Sequence, residues 1–316
     1  MTLIPDVMSA VEIPTWGDAD LLVLHERAMP SYGPHEVLVR IDAVGVNPVD
    51  FKVRGGNYSA AFGENFPLVL GRDFAGQVLA VGAEVSAWKV GDDVLGTLRM
   101  APRLGCYATH IVVSDTAMAL RPAGLDATRA AGLPVAGLTA WQALVEMAGV
   151  VAGQRILVQA AAGGVGHLVV QLAKFLGAHV TATASPGNHE FLRELGADEV
   201  IDYNTTRFED VVSDLDAVID CVGGDVLDRS LHVLKPGGIA VTMAARPDSE
   251  LAESLGVRVA LIFVRPDAVQ LQGLADMVAD GRLVVHVAQT FPLAEAKQAH
   301  LNQEAGHVRG KVVLIP

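Results

Sequence analysis

A glycine-rich segment is the first part of this chain whose residue types and spacing indicate chemistry. In ILVQAAAGGVGHLVVQLAKFL, residues 156–176, a short apolar run is followed by glycines and then by apolar residues at helical spacing, which predicts a strand, a tight turn and a helix. A tight turn needs residues that tolerate unusual backbone angles, and a pyrophosphate approaches a helix N-terminus only where no side chain intervenes. Gly163 and Gly166 meet both needs. We therefore expect a dinucleotide to bind at Gly163, Gly164, Val165 and Gly166.

The context of this turn strengthens the prediction. The dinucleotide fingerprint G-x-G-x-x-G is incomplete, because Ala161 replaces its first glycine. A second apolar strand, residues 180–184, nevertheless follows the helix, as a βαβ unit requires. The alternative is a glycine-rich turn in an ordinary α/β protein.

The end of the second strand bears on which dinucleotide binds. Enzymes that hold a ribose 2′-hydroxyl place Asp or Glu about 20 residues beyond the glycines, whereas this chain has Ser185 in the corresponding region. His189 and Arg193 could add positive charge, and Ser185 could donate a hydrogen bond to a 2′-phosphate. The sequence therefore favours NADPH over NADH. The alternative for Arg193 is that it pairs with Glu190 or Glu194 on the same helix.

Composition restricts the classes of protein to consider. The 316 residues are enough for two domains of roughly 150 residues each. The net charge of −13 opposes general binding to nucleic acid. No apolar run approaches the roughly 18 to 20 residues of a membrane span, and the N-terminus lacks signal-peptide features, so we expect a cytoplasmic protein. The two cysteines, Cys106 and Cys221, indicate neither a disulfide framework nor a structural zinc site, and we expect both to be packed and unreactive.

The first part of the chain, residues 1–121, has the pattern of a β domain. Residues 36–43 alternate apolar and polar, which predicts a strand with one buried face. Further strands are predicted at 76–81, 92–96 and 107–113, separated by glycine and proline turns. Short strands of this kind indicate a compact barrel or sandwich.

Residues 122–282 show the alternation of strands and helices that is typical of a doubly wound parallel sheet. An alanine-rich helical region, 126–147, leads into the glycine turn. Later strands are predicted at 180–184, 200–201, 217–220, 239–243 and 257–264. Residues 283–316 are predicted to rejoin the first domain through segment 283–287, a helix at 294–303 and a strand at 311–315.

The order of these motifs resembles that of the medium-chain dehydrogenase/reductase superfamily. The motifs are GVNPVDFK at 45–52, GRDFAG at 71–76 and AAGGVG at 161–166. Within the superfamily, the chain looks like the zinc-independent branch of quinone oxidoreductases and alkenal reductases. The resemblance implies a GroES-like β domain, a Rossmann domain, a nicotinamide cofactor between them and commonly a homodimer formed through the Rossmann sheets.

The chain departs from the zinc alcohol dehydrogenases of this superfamily at their metal ligands. Asn47 stands where they have a catalytic cysteine, and Arg72 replaces the histidine of their G-H-E motif. An alcohol needs a metal to stabilise its alkoxide before hydride leaves. We therefore expect no metal and no simple alcohol oxidation.

Hydride addition to a quinone or to the β-carbon of an enone is easier without a metal, because hydrogen-bond donors can stabilise the delocalised charge. Asn47, Lys52 and Tyr58 are the candidates for contact with this acceptor, and Asn47 is also a candidate for contact with the cofactor. Lys52 stands where some quinone reductases of the family have a tyrosine and several alkenal reductases have a lysine, which favours enones. Its ammonium group could bind an oxygen or give up a proton. The alternative is a surface lysine beside Asp50.

The resemblance implies further cofactor contacts in the second domain. They are Thr139, Tyr203, Val222, Ala244, Phe263 and Val264, most of which follow predicted strands. Two other functions stay open. One is an enoyl-thioester reductase, for which Arg54, Arg99 and Arg103 could form a basic rim for a carrier phosphate. The other is a cofactor-binding redox sensor with little catalysis.

Overall fold

A computed structural model describes residues 4–100 and 105–316 of the chain. The chain divides into two compact units. The first contains Met1–Val135 together with Arg265–Pro316, and the second contains Ala136–Val264. In the described part of the chain, no helix combines the length and apolar character that a membrane span requires.

The first unit is built mainly from antiparallel strands. Its strands are β1 (Val7–Ile13), β2 (Val23–Ala28), β3 (Glu36–Val46), β4 (Leu68–Val69), β5 (Asp73–Val81), β6 (Asp93–Thr97), β7 (His110–Ser114), β8 (Met118–Leu120), β15 (Val287–Pro292) and β16 (Lys311–Ile315). Its helices are α1 (Pro48–Arg54), α2 (Ser59–Phe62), α3 (Ala127–Gly132), α9 (Ala268–Ala279) and α10 (Ala296–Glu304). The boundary between the first and the second unit lies within helix α4 (Pro134–Trp141).

Strand β3 is central to the larger sheet of this unit. The sheet runs in the order β15-β16-β3-β5-β6-β8, and β7 also pairs with β3. A smaller sheet runs β2-β1-β4. The predicted alternation in β3 is seen only at Arg40 and Asp42, because most of its other residues are buried on both faces. Helix α3 covers one of these faces, and it approaches so closely that a Cβ on Gly45 would lie 2.2 Å from the carbonyl oxygen of Ala131.

The second unit is a parallel sheet of six strands. They are β9 (Arg155–Val158), β10 (His179–Ala184), β11 (Glu199–Asp202), β12 (Leu215–Asp220), β13 (Leu234–Thr242) and β14 (Arg258–Leu261), in the order β11-β10-β9-β12-β13-β14. The intervening helices are α5 (Gly166–Phe175), α6 (His189–Glu194), α7 (Asp225–Leu231) and α8 (Ser249–Ser254), and a π-helical segment, Gln142–Ala148, precedes β9. Strand order reverses at β9, which has β10 on one side and β12 on the other. Ligands of open α/β sheets bind beyond the carboxyl ends of the strands at such a point.

The limits of the units differ from the predicted domain limits. The units change at 135/136 and 264/265, whereas the sequence pattern placed the changes at 121/122 and 282/283. Helix α3 packs against β3, β5 and β16, and α9 packs against β8, so both helices belong to the first unit. Helical periodicity alone does not show which sheet a helix covers.

Several element boundaries also differ from prediction. The segment 283–287, for which no element type was predicted, lies in the first unit and contributes only Val287 to strand β15. The strand predicted at 107–113 begins at His110, and the strand predicted at 257–264 ends at Leu261. Apolar residues continue the pattern beyond the pairing in both places, since Tyr107 is fully buried without belonging to a strand, and Phe263 is 72% exposed.

Candidate active site

Helix α1 follows β3 directly and carries the chemistry predicted for the first unit. Asn47 precedes the helix in extended conformation, and Pro48 occupies a first-turn position whose N–H would have no partner in the helix. The carboxylate of Asp50 accepts a hydrogen bond from the backbone N–H of Asn47 at 2.9 Å. This contact fixes the angle at which the chain leaves β3.

The side chain of Asn47 is buried in a polar cluster with Asp73 and Lys311, which we call the Asn47 cluster. Asn47 Nδ2 donates to Asp73 Oδ2 at 2.9 Å, and Lys311 Nζ donates to Asn47 Oδ1 at 2.5 Å and to the Val46 carbonyl at 3.0 Å. Burial raises the pKa of Asp73 and lowers that of Lys311, while their mutual attraction opposes both shifts. Both ends of the Asn47 amide thus take part in the Asn47 cluster, and contact of Asn47 with the acceptor or the cofactor stays a prediction.

Asp50 begins a second buried hydrogen-bonded chain. Tyr107 Oη donates to Asp50 Oδ2 at 3.2 Å and lies 2.9 Å from His300 Nε2. Arg54 Nη1 lies 2.9 Å from His300 Nδ1, and Arg54 Nη2 pairs with Glu304 Oε1 at 2.5 Å. We call Asp50, Tyr107, His300 and Arg54 the Asp50 chain. Burial raises the pKa of Asp50 to about 7, and burial with the nearby Arg54 lowers the pKa of His300 to about 3.

Lys52 and Tyr58 are half-buried, unlike Asn47. The ammonium group of Lys52 makes no hydrogen bond or ion pair with any described residue, so it is available to a ligand. It does not pair with Asp50, whose carboxylate is turned into the Asp50 chain. Tyr58 packs against the core of the first unit and its hydroxyl has no partner among the described residues.

The glycine turn of the second unit follows β9 and starts α5. Backbone N–H groups of Gly164 and Val165 have no partner in the described part of the chain, and both residues are partly exposed. Neither Gly163 nor Gly166 has a positive φ, which corrects one of the two predicted reasons for these glycines, the need for unusual backbone angles; the left-handed residue is Ala160, with φ 50°. Gly166 is required by space, because a Cβ there would lie 2.6 Å from the carbonyl oxygen of Ala160. Exposed N–H groups at a helix N-terminus suit a pyrophosphate.

The residues predicted to bind the adenosine phosphate lie beyond β10 and β11. Ser185 Oγ accepts a hydrogen bond from Asn188 at 3.2 Å, which leaves its hydrogen free to donate, and His189 Nε2 lies 3.3 Å from the Ala184 carbonyl. The guanidinium of Arg193 is exposed and pairs with neither Glu190 nor Glu194 in the described structure. Tyr203 is 48% exposed.

Asp202, at the end of β11, is a charged neighbour that the sequence pattern did not indicate. Its carboxylate accepts hydrogen bonds from Asn204 and Thr205, and these contacts together with the nearby His189 lower its pKa. A carboxylate here opposes a phosphate, whereas Arg193 favours one.

The remaining predicted cofactor residues share one edge of the second sheet. Val222, Ala244 and Phe263 follow the carboxyl ends of β12, β13 and β14, as the glycine turn follows β9. Val222 and Phe263 are exposed, and Ala244 and Val264 are half-buried. Because all six strands are parallel, their carboxyl ends meet at the same edge. Thr139 is buried in α4, away from the strand ends in sequence.

Both cysteines have the features of packed side chains. Cys106 is fully buried, and burial raises the pKa of its thiol and that of Cys221. Cys221 Sγ lies 3.5 Å from Met243 Sδ. A high thiol pKa opposes thiolate chemistry, in agreement with the prediction that neither cysteine is reactive.

The polar residues of the first unit that sequence reasoning did not assign are Asp50, Asp73, Tyr107, His300 and Lys311. A signal existed for Lys311, which begins the otherwise apolar strand KVVLI. For His300 we find no such signal, since α10 is mostly polar. Of the arginines proposed as a basic rim, Arg54 is buried in the Asp50 chain, Arg99 is exposed and Arg103 lies outside the described residues.

Comparisons with known proteins agree with this combination of units. Residues 33–124 match the alcohol dehydrogenase GroES-like domain, and residues 195–314 match a family described as zinc-binding dehydrogenase. The chain is 35% identical to the NADPH-dependent alkenal/one oxidoreductase of Arabidopsis thaliana, over 99% of this chain and 81% of that protein. It is also similar to the quinone oxidoreductase of Coxiella burnetii, with TM-score 0.93, 35% identity, and 98% and 99% coverage. The Escherichia coli quinone oxidoreductase complexed with NADPH gives TM-score 0.90, 27% identity, and 98% and 100% coverage.

These matches, with the fold and the site, define an oxidoreductase with a GroES-like β domain and a Rossmann domain. Its cofactor is a nicotinamide dinucleotide. The chain belongs to the medium-chain dehydrogenase/reductase superfamily, in the branch of quinone oxidoreductases and alkenal reductases.

The residues of the first unit do not fit the zinc that one family description implies. Asn47 uses its amide within the Asn47 cluster, and Arg72 Nε donates to the Leu98 carbonyl at 2.9 Å. Within residues 4–100 and 105–316, no group of three His, Cys, Asp or Glu side chains could hold a metal ion. We therefore derive no step through zinc.

Proposed function

We propose that this protein is an NADPH-dependent, zinc-independent reductase of quinones or α,β-unsaturated carbonyl compounds. The observation that carries the proposal is the pair of unpartnered backbone N–H groups at Gly164 and Val165, where α5 begins beside the reversal of strand order. The second unit would hold the dinucleotide pyrophosphate there. The bound cofactor supplies hydride, and the chain's own residues bind the acceptor and provide the proton.

Lys52 is the residue of α1 that best suits the acceptor. Its unpaired ammonium can donate a hydrogen bond to a carbonyl or quinone oxygen as negative charge develops there. Tyr58 offers a second free hydroxyl. A delocalised enolate or hydroquinone anion needs less stabilisation than an alkoxide, so an ammonium and a hydroxyl can serve in place of a metal.

Support for NADPH comes from Ser185 and from the unpaired guanidinium of Arg193. Two relatives also support NADPH. One is named as NADPH-dependent, and the structure of the other is a complex with NADPH. Asp202 opposes this preference. We therefore expect Arg193→Gln to weaken NADPH binding by about tenfold with little change for NADH, because the lost contact is one charge-assisted hydrogen bond of roughly 1.5 kcal/mol or more. Arg258→Gln, at the amino end of β14, is the matched control.

The test of the function is direct. Purified protein is mixed with NADPH or NADH and a panel of quinones, enones, aldehydes and alcohols, and nicotinamide absorbance is followed. We expect turnover with quinones or enones, a preference for NADPH, and no loss of rate after chelation. Turnover of saturated alcohols that chelation abolishes would contradict the proposal, and absence of all turnover would favour the redox-sensor alternative.

Replacement of Lys52 by Met tests the acceptor contact. We expect kcat/KM to fall by roughly tenfold or more for every accepted substrate, since a hydrogen bond to developing charge is lost. Lys89→Met removes an exposed lysine of the same unit and serves as control. If Lys52→Met has unchanged kinetics, Lys52 is a surface residue that does not contact the acceptor.

The assembly and location of the protein stay predictions. We propose a homodimer because β14 pairs only with β13 and leaves one edge of the second sheet without a strand in the described structure. Sedimentation of the purified protein would test it, and a monomer at micromolar concentration would contradict it. Cytoplasmic location stays an expectation from the sequence.

A further inference from the structure

The hydrogen bonds of the Asp50 chain all run in one direction, from Arg54 towards Asp50. Arg54 has only donors, so His300 Nδ1 accepts from it and is unprotonated. Because the pKa of His300 is lowered, its ring is neutral and the hydrogen lies on Nε2. His300 Nε2 therefore donates to Tyr107 Oη, and Tyr107 in turn donates to Asp50 Oδ2. The Arg54 guanidinium, three hydrogen bonds away from Asp50, thus determines that Asp50 Oδ2 is an acceptor.

This direction decides which oxygen of Asp50 can carry a proton. Oδ2 already accepts hydrogen bonds from Tyr107 Oη and from the Asn47 N–H. Oδ1 has no hydrogen-bond partner among the described residues, and Asp50 forms part of the wall of a cavity in the first unit. A proton on Asp50 therefore lies on Oδ1.

Oδ1 has a space into which it can deliver that proton. The first unit contains a cavity of about 620 Å³, and its wall includes Asp50, Val49, Val53, Phe62, Leu70 and Arg72. Most of these residues are apolar, which suits the body of an enone or quinone. The burial that raises the pKa of Asp50 to about 7 keeps a large fraction of the carboxyl protonated near neutral pH.

We propose that Asp50 is the general acid of the reduction, delivering the proton on its Oδ1 to the acceptor in this cavity. The inference rests on the proposed function. Hydride supplied by a bound nicotinamide would reach the β-carbon of an enone and the carbon–carbon π pair would form an enolate. The Oδ1–H bond of Asp50 then breaks as its proton passes to that enolate. A quinone likewise takes one hydride and one proton. Both reactions leave a carboxylate, which water in the cavity reprotonates, since the Asp50 chain ends in a guanidinium that gives up no proton.

Several charged or titratable groups face Asp50 and belong to its pH response. They are Asp73 on β5, Lys311 on β16, Cys106 and Tyr107 before β7, and then His300 on α10 and Arg54 on α1 through the Asp50 chain. Asp73 raises the pKa of Asp50, whereas Lys311 and the Tyr107 hydroxyl lower it. General-acid catalysis by Asp50 therefore predicts a kcat that is constant at low pH and falls above about pH 7.

The kinetic test compares the pH profile of kcat in three variants. Asp50→Asn keeps an oxygen that can accept from Tyr107 and Asn47 but has no acidic proton, so kcat should fall by roughly 10²-fold or more and lose its alkaline limb. Tyr107→Phe removes a donor to the carboxylate, so the limb should move to higher pH by roughly one unit. Asp6→Asn, on an exposed residue, should leave rate and limb unchanged. An alkaline limb that persists in Asp50→Asn overturns the proposal.

A second readout needs no cofactor. Infrared difference spectra of the protein alone, recorded across pH, should show a protonated-carboxyl band that disappears near pH 7 in wild type and is missing in Asp50→Asn. Absence of this band in the wild type contradicts the proposal even where the enzyme is active. If the band titrates as expected but no quinone or enone is reduced, the proposed function has failed and not the assignment of the proton to Asp50.

Discussion

Lys311 is the single residue on which the Asn47 cluster depends most. Its ammonium is almost fully buried and donates to Asn47 Oδ1 and the Val46 carbonyl, close to the negative charge of Asp73. Lys311→Met removes the cation and leaves these acceptors and the carboxylate in a dry interior. We expect the free energy of unfolding in urea to fall by roughly 3–5 kcal/mol, because the buried charge of Asp73 loses the nearby cation that stabilises it.

A double-mutant cycle separates this effect from loss of packing. Lys311→Met with Asp73→Asn should be less unstable than the sum of the single variants, because neither charge is then left alone. Lys235→Met is the matched control, since its ion pair with Asp216 is half-exposed and contributes at most about 1 kcal/mol. Additive effects of the two cluster substitutions would show that Asp73 and Lys311 are not coupled.

Asp50 makes stability depend on pH in the direction opposite to an ordinary carboxylate. Its folded-state pKa of about 7 lies above the ordinary aspartate pKa of 3.8, so the folded protein retains the proton while the unfolded chain loses it. The contribution to stability is fully present below about pH 4 and is lost as pH rises to about 7. From pH 5 to pH 8, Asp50→Asn should gain roughly 2–3 kcal/mol in unfolding free energy relative to wild type.

Urea unfolding of both proteins at several pH values measures this difference. Asp6→Asn provides the control, because an exposed aspartate should give a difference that does not change over the same range. A constant difference between Asp50→Asn and wild type would mean that Asp50 is already ionised at pH 5.

For individual residues, the sequence predicted which side chains matter better than it predicted their hydrogen-bond partners. The motifs that contain Asn47, Asp50 and Asp73 could be recognised, but the contact of Asn47 with Lys311 could not, since Lys311 is 264 positions away along the chain. Tyr107 and His300 are 193 positions apart. Contacts of such separation follow from the packing of β16 and α10, which no local pattern reveals.

Among the elements, the turn between β9 and α5 depends on having glycine at position 166. A Cβ on Gly166 would lie 2.6 Å from the Ala160 carbonyl oxygen and 2.7 Å from the Ala161 Cα, both backbone atoms that cannot turn aside. Gly166→Ala must therefore shift the start of α5 from β9. We expect a loss of roughly 1–3 kcal/mol in stability and a weaker affinity for NADPH, measured by urea unfolding and by calorimetric titration.

Gly273→Ala is a matched control with the opposite sign. Gly273 lies on the exposed side of α9, and no atom stands within 4 Å of a Cβ built there. Alanine at this position should stabilise the protein by about 0.5–1 kcal/mol, as expected from helix propensity, and leave NADPH affinity unchanged. If Gly166→Ala behaves in the same way, the turn has more room than the structure shows.

Element types were predicted well where an apolar period was long, as in β9, α5 and β10. The structural need for Gly166 was not predicted, because a sequence does not show whether a glycine serves a positive φ or a close approach of backbone atoms. Ala160 takes the left-handed conformation in this turn, although alanine pays a cost there that glycine avoids. The start of β7 and the end of β14 were misplaced, because apolar side chains continue into the core or onto the surface beyond the last paired residue.

In the whole molecule, the second unit interrupts the first, an arrangement that the order of sequence patterns also indicated. The return segment from Arg265 supplies more to the first unit than its length suggests. Strand β16 pairs with β3, α10 brings His300 to Tyr107, and Lys311 completes the Asn47 cluster. Residues 1–135 alone would thus leave β3 without one neighbour and would leave Asn47 and Tyr107 without partners.

We expect the two units to differ when they are produced separately. Fragment 136–264 keeps all six parallel strands with their helices and should unfold cooperatively in urea, as followed by circular dichroism. Fragment 1–135 should show no cooperative transition. Joining 1–135 to 265–316 through a flexible glycine-serine linker should restore one, because β16 and α10 are then present. Cooperative unfolding of fragment 1–135 alone, or its failure to recover in the linked chain, would mean that the return segment is not what completes the first unit.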